Sequence, residues 1–146
     1  MKAEASFSED LKADSLADYE MLEELGRGGM GVVFSGVHTW TGRPVAVKIL
    51  SDTLANEEDY RRRFEREARV AAGLNHAGLV GIHDFGVEAD ARRPYLVMEL
   101  VPGGSLADRL GVSPSLISQV ERGRARPSVN TLYAMARELD ISFDEL

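Results

Sequence analysis

The spacing of hydrophobic and polar positions changes character twice along this chain of 146 residues. Up to about residue 50, short apolar runs are separated by glycine-rich or polar turns, a pattern typical of β-strands. Apolar residues then recur three and four positions apart, which indicates an amphipathic helix. Two more strand-like runs follow, with a polar loop between them. The pattern predicts strands over residues 19–25, 32–37, 44–50, 79–87 and 94–101, and one helix over residues 57–74.

The second change follows a Pro-Gly-Gly break at residues 102–104. Residues 105–110 have leucines at helical spacing and predict a short helix. Ser113 followed by Pro114 is a helix start, because serine can cap free N–H groups and proline has no N–H to satisfy. Gly123 is placed to end this second helix, Ser128 can cap a third, and residues 141–146 predict the start of one more.

These changes divide the chain into an acidic flexible leader (residues 1–17), an α+β domain (18–104) and a small all-α segment (105–146). Hydrophobic residues make up 44% of the chain, which is enough for a packed core. The net charge of −7 argues against general binding to polyanions. Most of that negative charge precedes Ser105, so the net charge does not exclude a local basic surface near residues 122–126.

The composition also excludes several classes of protein. The chain has no cysteine, so disulfides, thiolate metal sites and cysteine nucleophiles are absent from it. The three histidines are scattered, and no two have the spacing of metal ligands. No apolar run approaches the roughly 20 residues that cross a bilayer. We therefore expect a cytoplasmic protein without membrane contact.

The first candidate for chemistry is a loop between the first two predicted strands, with Gly26, Gly28 and Gly31. Glycines let the backbone approach phosphate groups that side chains would block. A plain hairpin is the alternative for this loop taken alone. In the third strand, alternation places Lys48 on the same face as Ala46, which leaves room for a flat ligand beside a cation. An exposed edge-strand lysine is the alternative.

A carboxylate on the predicted helix is the natural partner for Lys48. Glu67 lies in the middle of an otherwise apolar stripe, and a buried carboxylate is costly unless it is paired. We therefore predict an ion pair between Glu67 and Lys48. The stripe consists of Tyr60, Phe64, Glu67, Ala71 and Leu74.

With these features in order, residues 19–110 resemble the N-terminal lobe of a bacterial Ser/Thr protein kinase of the eukaryotic-like type. The loop matches G-x-G-x-x-G-x-V, and residues 45–48 match the lysine strand of that family. The resemblance implies a five-stranded antiparallel sheet with one helix, and ATP under the loop, with magnesium only as the ATP complex. It makes Met98 the gatekeeper and residues 99–101 the hinge that bonds adenine. The ATP-binding residues it implies are Leu25, Gly26, Gly28, Gly31, Val33, Ala46, Lys48, Glu67, Met98, Glu99 and Val101.

The residues that such a kinase needs for phosphoryl transfer are incomplete in this sequence. No histidine follows His83, so the catalytic H-R-D is absent. A D-F-G occurs at residues 84–86, but it precedes the predicted hinge, whereas the magnesium-binding triplet of the family follows the catalytic loop. We interpret it as the end of a strand. The chain alone is therefore not expected to be a kinase.

Residues 105–146 resemble the helix-turn-helix domain of the phage-repressor (Cro-like, XRE) family, chiefly in residues 111–114, 118–123 and 126–128. The resemblance implies a helix in the major groove of double-stranded DNA. The helix that precedes this motif in the family has no counterpart here, so the motif is partial. The implied DNA contacts are Ser113, Ser115, Ser118, Gln119, Arg122, Arg124 and Arg126.

Three hypotheses follow from the two resemblances. The chain is a Ser/Thr kinase fragment that needs a missing C-lobe, a nucleotide-binding lobe coupled to a DNA-binding regulator, or a hybrid of two parents joined at the shared residues 105–110. We favour the hybrid as origin, with binding as the residual capability. A kinase N-lobe without its partner lobe also exposes the apolar surface under the hinge, which predicts self-association.

Overall fold

The computed structural model describes residues 15, 16 and 18–142, and all of its strands lie before residue 100. The strands are β1 (Ser15–Leu16), β2 (Tyr19–Gly28), β3 (Gly31–His38), β4 (Pro44–Leu50), β5 (Ile82–Val87) and β6 (Pro94–Glu99). They form a six-stranded antiparallel sheet in the order β1-β2-β3-β4-β6-β5. Neighbouring strands in the sheet are mostly neighbours in sequence; the exception is the pair of β4 and β6, which are separated in the chain by a helical segment and β5.

The central strand β4 carries the core of the sheet. Val45, Val47 and Ile49 are completely or almost completely buried on one face, together with Val97 of β6. This is the face that alternation predicts, and Lys48 lies between two of these residues and is half-buried. The strand itself begins and ends where the sequence predicts, because its alternation is uninterrupted from Pro44 onward.

The sheet has one strand more than the five predicted. Leu16 pairs with Tyr19, and its side chain is only 7% exposed within the core. The prediction of a flexible leader over residues 1–17 is therefore wrong for residues 15 and 16, where burial of one leucine stabilises a short edge strand. The remainder of that leader, residues 1–14 and 17, lies outside the described residues.

Two helices lie between β4 and β5, where one was predicted: α1 (Asp52–Ala55) and α2 (Glu58–Ala72). Ser51 caps α1, since its hydroxyl accepts a hydrogen bond from the Leu54 N–H. The buried residues of α2 are Phe64 and Ala68. The predicted stripe is thus rotated by about one position, and Leu74 is 55% exposed. Which side of the helix is buried depends on how the helix docks on the sheet, and the spacing of apolar residues alone does not determine it.

The D-F-G of residues 84–86 lies within β5, as the interpretation of these residues as strand predicts. The strand starts at Ile82 rather than at residue 79. The register shifts between Ile82 and Asp84, so His83 is the extra residue of a β-bulge. Both oxygens of Asp84 are engaged, Oδ2 by the Tyr19 hydroxyl at 3.1 Å and Oδ1 by the Phe85 N–H at 2.8 Å.

The chain divides after Leu100 into two compact units, and the second consists of helices. The helices are α3 (Leu106–Leu110), α4 (Pro114–Glu121) and α5 (Val129–Glu138). Ser105 and Asp108 form a reciprocal capping box at the start of α3, and Gly111 ends it in the left-handed conformation. The predicted caps Ser113 and Ser128 both accept a hydrogen bond from the backbone N–H three residues on.

The core of the second unit is small. Within the described residues only Ala107 and Ala136 are buried there, and no residue of α4 is. Leu106, Leu110 and Ile117 are half-buried. The predicted helix at residues 141–146 does not begin at residues 141 and 142, and residues 143–146 lie outside the described part. Among the described residues, none of the helices is long and apolar enough to span a membrane.

Candidate nucleotide-binding site

The glycine-rich loop connects β2 to β3 and covers a cavity of about 350 Å³. Gly28 and Gly31 pair across the turn, and Val33 lies opposite Lys48 in the neighbouring strand pair. The structure therefore brings the loop and the lysine to one cavity. Of the predicted ATP-binding residues, Gly26, Gly28, Gly31, Val33 and Lys48 line it, and Arg27, Gly29 and Met30 are further lining residues.

The glycines of this loop meet different surroundings. A Cβ on Gly31 would lie 2.0 Å from the backbone oxygen of Ile49, so close strand packing requires this glycine. A Cβ on Gly26 or Gly28 would meet nothing within 4 Å, and neither residue has a positive φ. Packing and conformation therefore do not explain these two glycines, and the backbone at both positions is open to close approach by a ligand.

Two side chains that the sequence did not single out shape the loop. Arg27 donates two hydrogen bonds, both of 2.9 Å, to the carboxylate of Glu24. These bonds lower the pKa of the Glu24 carboxyl. A spacing of three residues in a regular strand does not predict such a pair. Here the register of β2 shifts between Glu24 and Gly26, and this bulge changes the direction of the strand. Leu25 is the extra residue at that position, and its side chain is 50% exposed.

Lys48 and Glu67 do not form the predicted ion pair. Lys48 is half-buried at the cavity, but among the described residues no carboxylate lies within ion-pair distance of it. Glu67 is exposed, because α2 turns Phe64 and Ala68 towards the sheet instead. The ammonium group is therefore available for an anionic ligand, and Glu67 is not placed to hold it.

The predicted adenine-binding residues lie on β4, on β6 and just after it. Ala46 and Met98 are opposite each other in the β4–β6 pair. The Glu99 N–H donates to the Gly81 carbonyl at 2.8 Å, and Glu99 Oε2 accepts from the Gly81 N–H at 3.2 Å. These bonds fix the end of β6. Val101 belongs to the second unit and is exposed.

The predicted DNA contacts lie around α4 in the second unit. Ser113 is used as the N-cap of α4, so its hydroxyl is already engaged. Gln119 is exposed, and its amide lies 3.5 Å from the Ser115 hydroxyl. Ser118 is half-buried. The remaining candidates, Arg122, Arg124 and Arg126, are exposed, and no ion pair involves them in the described part of the chain.

Comparison with known proteins identifies relatives of this chain and a shared fold. The protein kinase domain family matches residues 19–133. The serine/threonine-protein kinase PknA of Mycobacterium tuberculosis is 35% identical over 127 residues, which cover 85% of this chain and 28% of that protein. A probable serine/threonine-protein kinase PknB of Bifidobacterium longum is 42% identical over 105 residues, covering 67% of this chain and 15% of that protein. The crystal structure of the M. tuberculosis PknI kinase domain superimposes with a TM-score of 0.58 at 29% identity, over 84% of this chain and 45% of that one.

The chain belongs to the protein kinase domain family. It spans less than a third of the length of the curated kinases it matches. The family match continues beyond residue 110, where the kinase-like pattern was predicted to stop, through α3 and α4 and into α5.

Proposed function

We propose that residues 18–100 bind ATP, with the phosphates under the loop of residues 26–31 and against Lys48. The observation that carries this proposal is the pair of glycines, Gly26 and Gly28, that no contact among the described residues requires. They face the same cavity as Lys48, which has no carboxylate partner in the part of the chain that the structure describes. A backbone free of side chains beside an unpaired cation favours a phosphate-bearing ligand.

Magnesium enters this proposal only as part of the ATP complex. No group of three or more His, Cys, Asp or Glu residues in the described part of the chain could hold a metal ion. The two oxygens of Asp84, the aspartate of the D-F-G, accept hydrogen bonds from the Tyr19 hydroxyl and the Phe85 N–H. We therefore propose nucleotide binding without complete phosphoryl transfer by these 146 residues, since the sequence lacks H-R-D.

The test is the melting temperature of the full chain with and without Mg-ATP. A ligand that binds only the folded state stabilises it, by about 2.7 kcal/mol at one hundred times its Kd. We expect an increase that Lys48→Met abolishes and Gly28→Ala reduces, because the methyl group of alanine fits the free protein and blocks the phosphates. Arg66→Met is the control, because this exposed arginine on α2 lies outside the cavity. No increase in the unsubstituted chain, or an equal one in Lys48→Met, would contradict the proposal.

A second function, binding of double-stranded DNA by residues 105–142, is supported by one observation. A three-residue turn with Gly111 at φ 64° joins α3 to α4, and α3 also packs against α5. We propose that these helices form a helix-turn-helix, in which Gln119 and three arginines are exposed. We propose Gln119 and Ser115 as base contacts and the arginines as phosphate contacts.

Selection from a random duplex library tests this second function. Binding should weaken steeply as salt increases, and Gln119→Ala should remove the sequence preference while keeping most of the affinity. Asn130→Ala, on the exposed side of α5, serves as the matched control. Retention of one enriched motif by Gln119→Ala would exclude the proposed contact.

We also propose self-association of the chain through apolar residues around the connection between α2 and β5. Four large side chains there are between 43% and 61% exposed: Val70, Leu74, Leu79 and Val80. Covering them would remove apolar surface from water.

A further inference from the structure

A second cavity, of about 300 Å³, lies beside the hairpin that joins β3 to β4. Its volume is at the lower end of the range for small-molecule sites. Gly31 and His38 are the two ends of β3, so this cavity and the glycine-rich loop are separated by about 23 Å along the strand. It is lined by Tyr19, His38, Thr41, Arg43, Val45 and His83.

Hydrogen bonds within the hairpin determine what two of these side chains can offer. The Thr41 N–H donates to His38 Nδ1 at 3.2 Å, so the hydrogen of that ring is at Nε2, which is a donor. The Arg43 N–H donates to Thr41 Oγ1 at 3.3 Å, which leaves the hydroxyl hydrogen of Thr41 to donate elsewhere. Both side chains therefore present donors.

Arg43 and His83 add further nitrogen groups. Arg43 is exposed, and its guanidinium has no hydrogen bond or ion pair with any residue that the structure describes. His83 is the bulged residue of β5, and a bulge redirects its side chain relative to a regular strand. The guanidinium is a fixed fork of donors that suits carboxylate and phosphate groups.

No Asp or Glu is among the described residues that line the same cavity. The nearest carboxylate in sequence to His83 is Asp84, whose two oxygens accept hydrogen bonds from the Tyr19 hydroxyl and the Phe85 N–H. Tyr19 donates its own proton to Asp84, so it fixes that carboxylate in place beside the cavity. The lining of the cavity thus presents donors and the positive charge of Arg43, and it contains no carboxylate.

We propose that this cavity binds the phosphate or carboxylate group of a small molecule. Arg43 makes the charged contact, the His38 Nε2–H and the Thr41 hydroxyl donate hydrogen bonds, and Val45 with the Tyr19 ring forms the apolar floor. This site is separate from the proposed nucleotide site and does not depend on it.

The experiment uses the full chain and two probes, inorganic phosphate and acetate, at constant ionic strength. Binding is followed through the ring C–H signals of His38 and His83 in NMR spectra, and through the fluorescence of Trp40, the only tryptophan and the neighbour of Thr41. We expect saturable shifts of both histidines with at least one probe. A response to phosphate assigns a phosphate-bearing ligand, and a response to acetate alone assigns a carboxylate.

Arg43→Ala should raise the Kd of the active probe at least about tenfold, the usual effect of losing a charged hydrogen bond. Arg66→Ala makes the same change of charge on α2 and should leave the Kd unchanged. Thr41→Val is a second variant, which removes with little change of shape the hydroxyl that donates to the ligand and accepts from the Arg43 N–H. Circular dichroism checks that each variant is folded. Linear, non-saturating shifts with both probes, or the same Kd for Arg43→Ala and the unsubstituted chain, would overturn the proposal.

Discussion

Gly31 and Gly28 belong to one loop, yet the sheet gives them opposite roles. Gly31 is buried against the backbone of Ile49, and Gly28 is exposed beside open space. The sequence predicts both as one phosphate-binding feature, because spacing is the same for a glycine that packs and a glycine that binds. Only the pairing of β3 with β4 separates them.

We predict that Gly31→Ala destabilises the protein by about 2 kcal/mol or more, because a methyl group cannot fit 2.0 Å from a backbone oxygen unless the strands move apart. Urea denaturation followed by circular dichroism measures this loss. Gly28→Ala is the matched variant in the same loop and should change the free energy of unfolding by less than about 0.5 kcal/mol. Equal losses in the two variants would show that the loop packs differently.

The hydroxyl of Tyr19 predicts a pH dependence at high pH. Burial, followed by the hydrogen bond to Asp84, raises the pKa of Tyr19 from its ordinary value of 10.0 to about 12. Because the folded state binds this proton more tightly than the unfolded state, the contribution to stability is complete below pH 10 and is lost as the pH rises to about 12. Tyr19→Phe should cost about 1 kcal/mol at pH 7 and progressively less above pH 10. The free energy of unfolding of both proteins, measured from pH 8 to 12, tests this; parallel curves would contradict it.

At the scale of elements, a buried arginine joins the β5–β6 hairpin to α1. Arg93 is 6% exposed, and its guanidinium donates to both oxygens of Glu88, at 2.6 and 2.9 Å. It also lies 3.4 Å from Asp52 in α1. The hydrogen bonds with Glu88 raise the pKa of the Arg93 guanidinium further. The sequence predicts only a polar loop here, since α1 was not predicted and its approach is a tertiary contact.

Arg93→Ala should therefore destabilise the protein by about 2 to 3 kcal/mol, because it leaves the Glu88 carboxylate without its partner at a partly buried position. Asp52→Asn is the comparison: its pair is longer and the aspartate is half exposed, so less than about 1 kcal/mol is expected. Thermal or urea unfolding measures both. If Asp52→Asn costs as much as Arg93→Ala, the hairpin is not the main partner of the arginine.

Other elements follow from local sequence to different degrees. Pro44–Leu50 and the caps at Ser113 and Ser128 were predicted correctly because alternation and capping act within a few residues. The buried face of α2 and the exposed position of Glu67 were predicted incorrectly, because the rotation of a helix about its axis depends on the sheet against which it packs. The strand at residues 15 and 16 is too short to give a periodic pattern, so it could not be predicted.

At the scale of the whole molecule, the chain combines two units of unequal core. The first contains seven buried residues in one cluster of the sheet, whereas the buried hydrophobics of the second, within the described residues, are two alanines. A small core provides little stabilisation from burial. The protein kinase family match spans both units and includes α3 and α4.

The exposed residues around the α2–β5 connection predict concentration-dependent association of the chain. Sedimentation velocity over a wide range of concentration should detect a dimer or larger species. Leu79→Glu should lower the associated fraction, because a charge opposes burial of this surface. Trp40→Glu is the control, since it replaces an even more exposed apolar residue, on the β3–β4 hairpin. A monomer at every concentration would contradict the proposal.

The pairing of β4 with β6 has a consequence for the order of folding. The pairs β2–β3, β3–β4 and β5–β6 are hairpins that need only short loops to close. The pairing of Val47 with Val97 instead closes the long segment that contains α1, α2 and β5, and longer loops lose more entropy on closure. We expect two hairpin subassemblies to form first and to join late, with Val97→Ala changing the unfolding rate more than the folding rate. Stopped-flow kinetics measures both rates. If β4 and β6 paired in the folding nucleus, Val97→Ala would instead lower the folding rate more than it raised the unfolding rate.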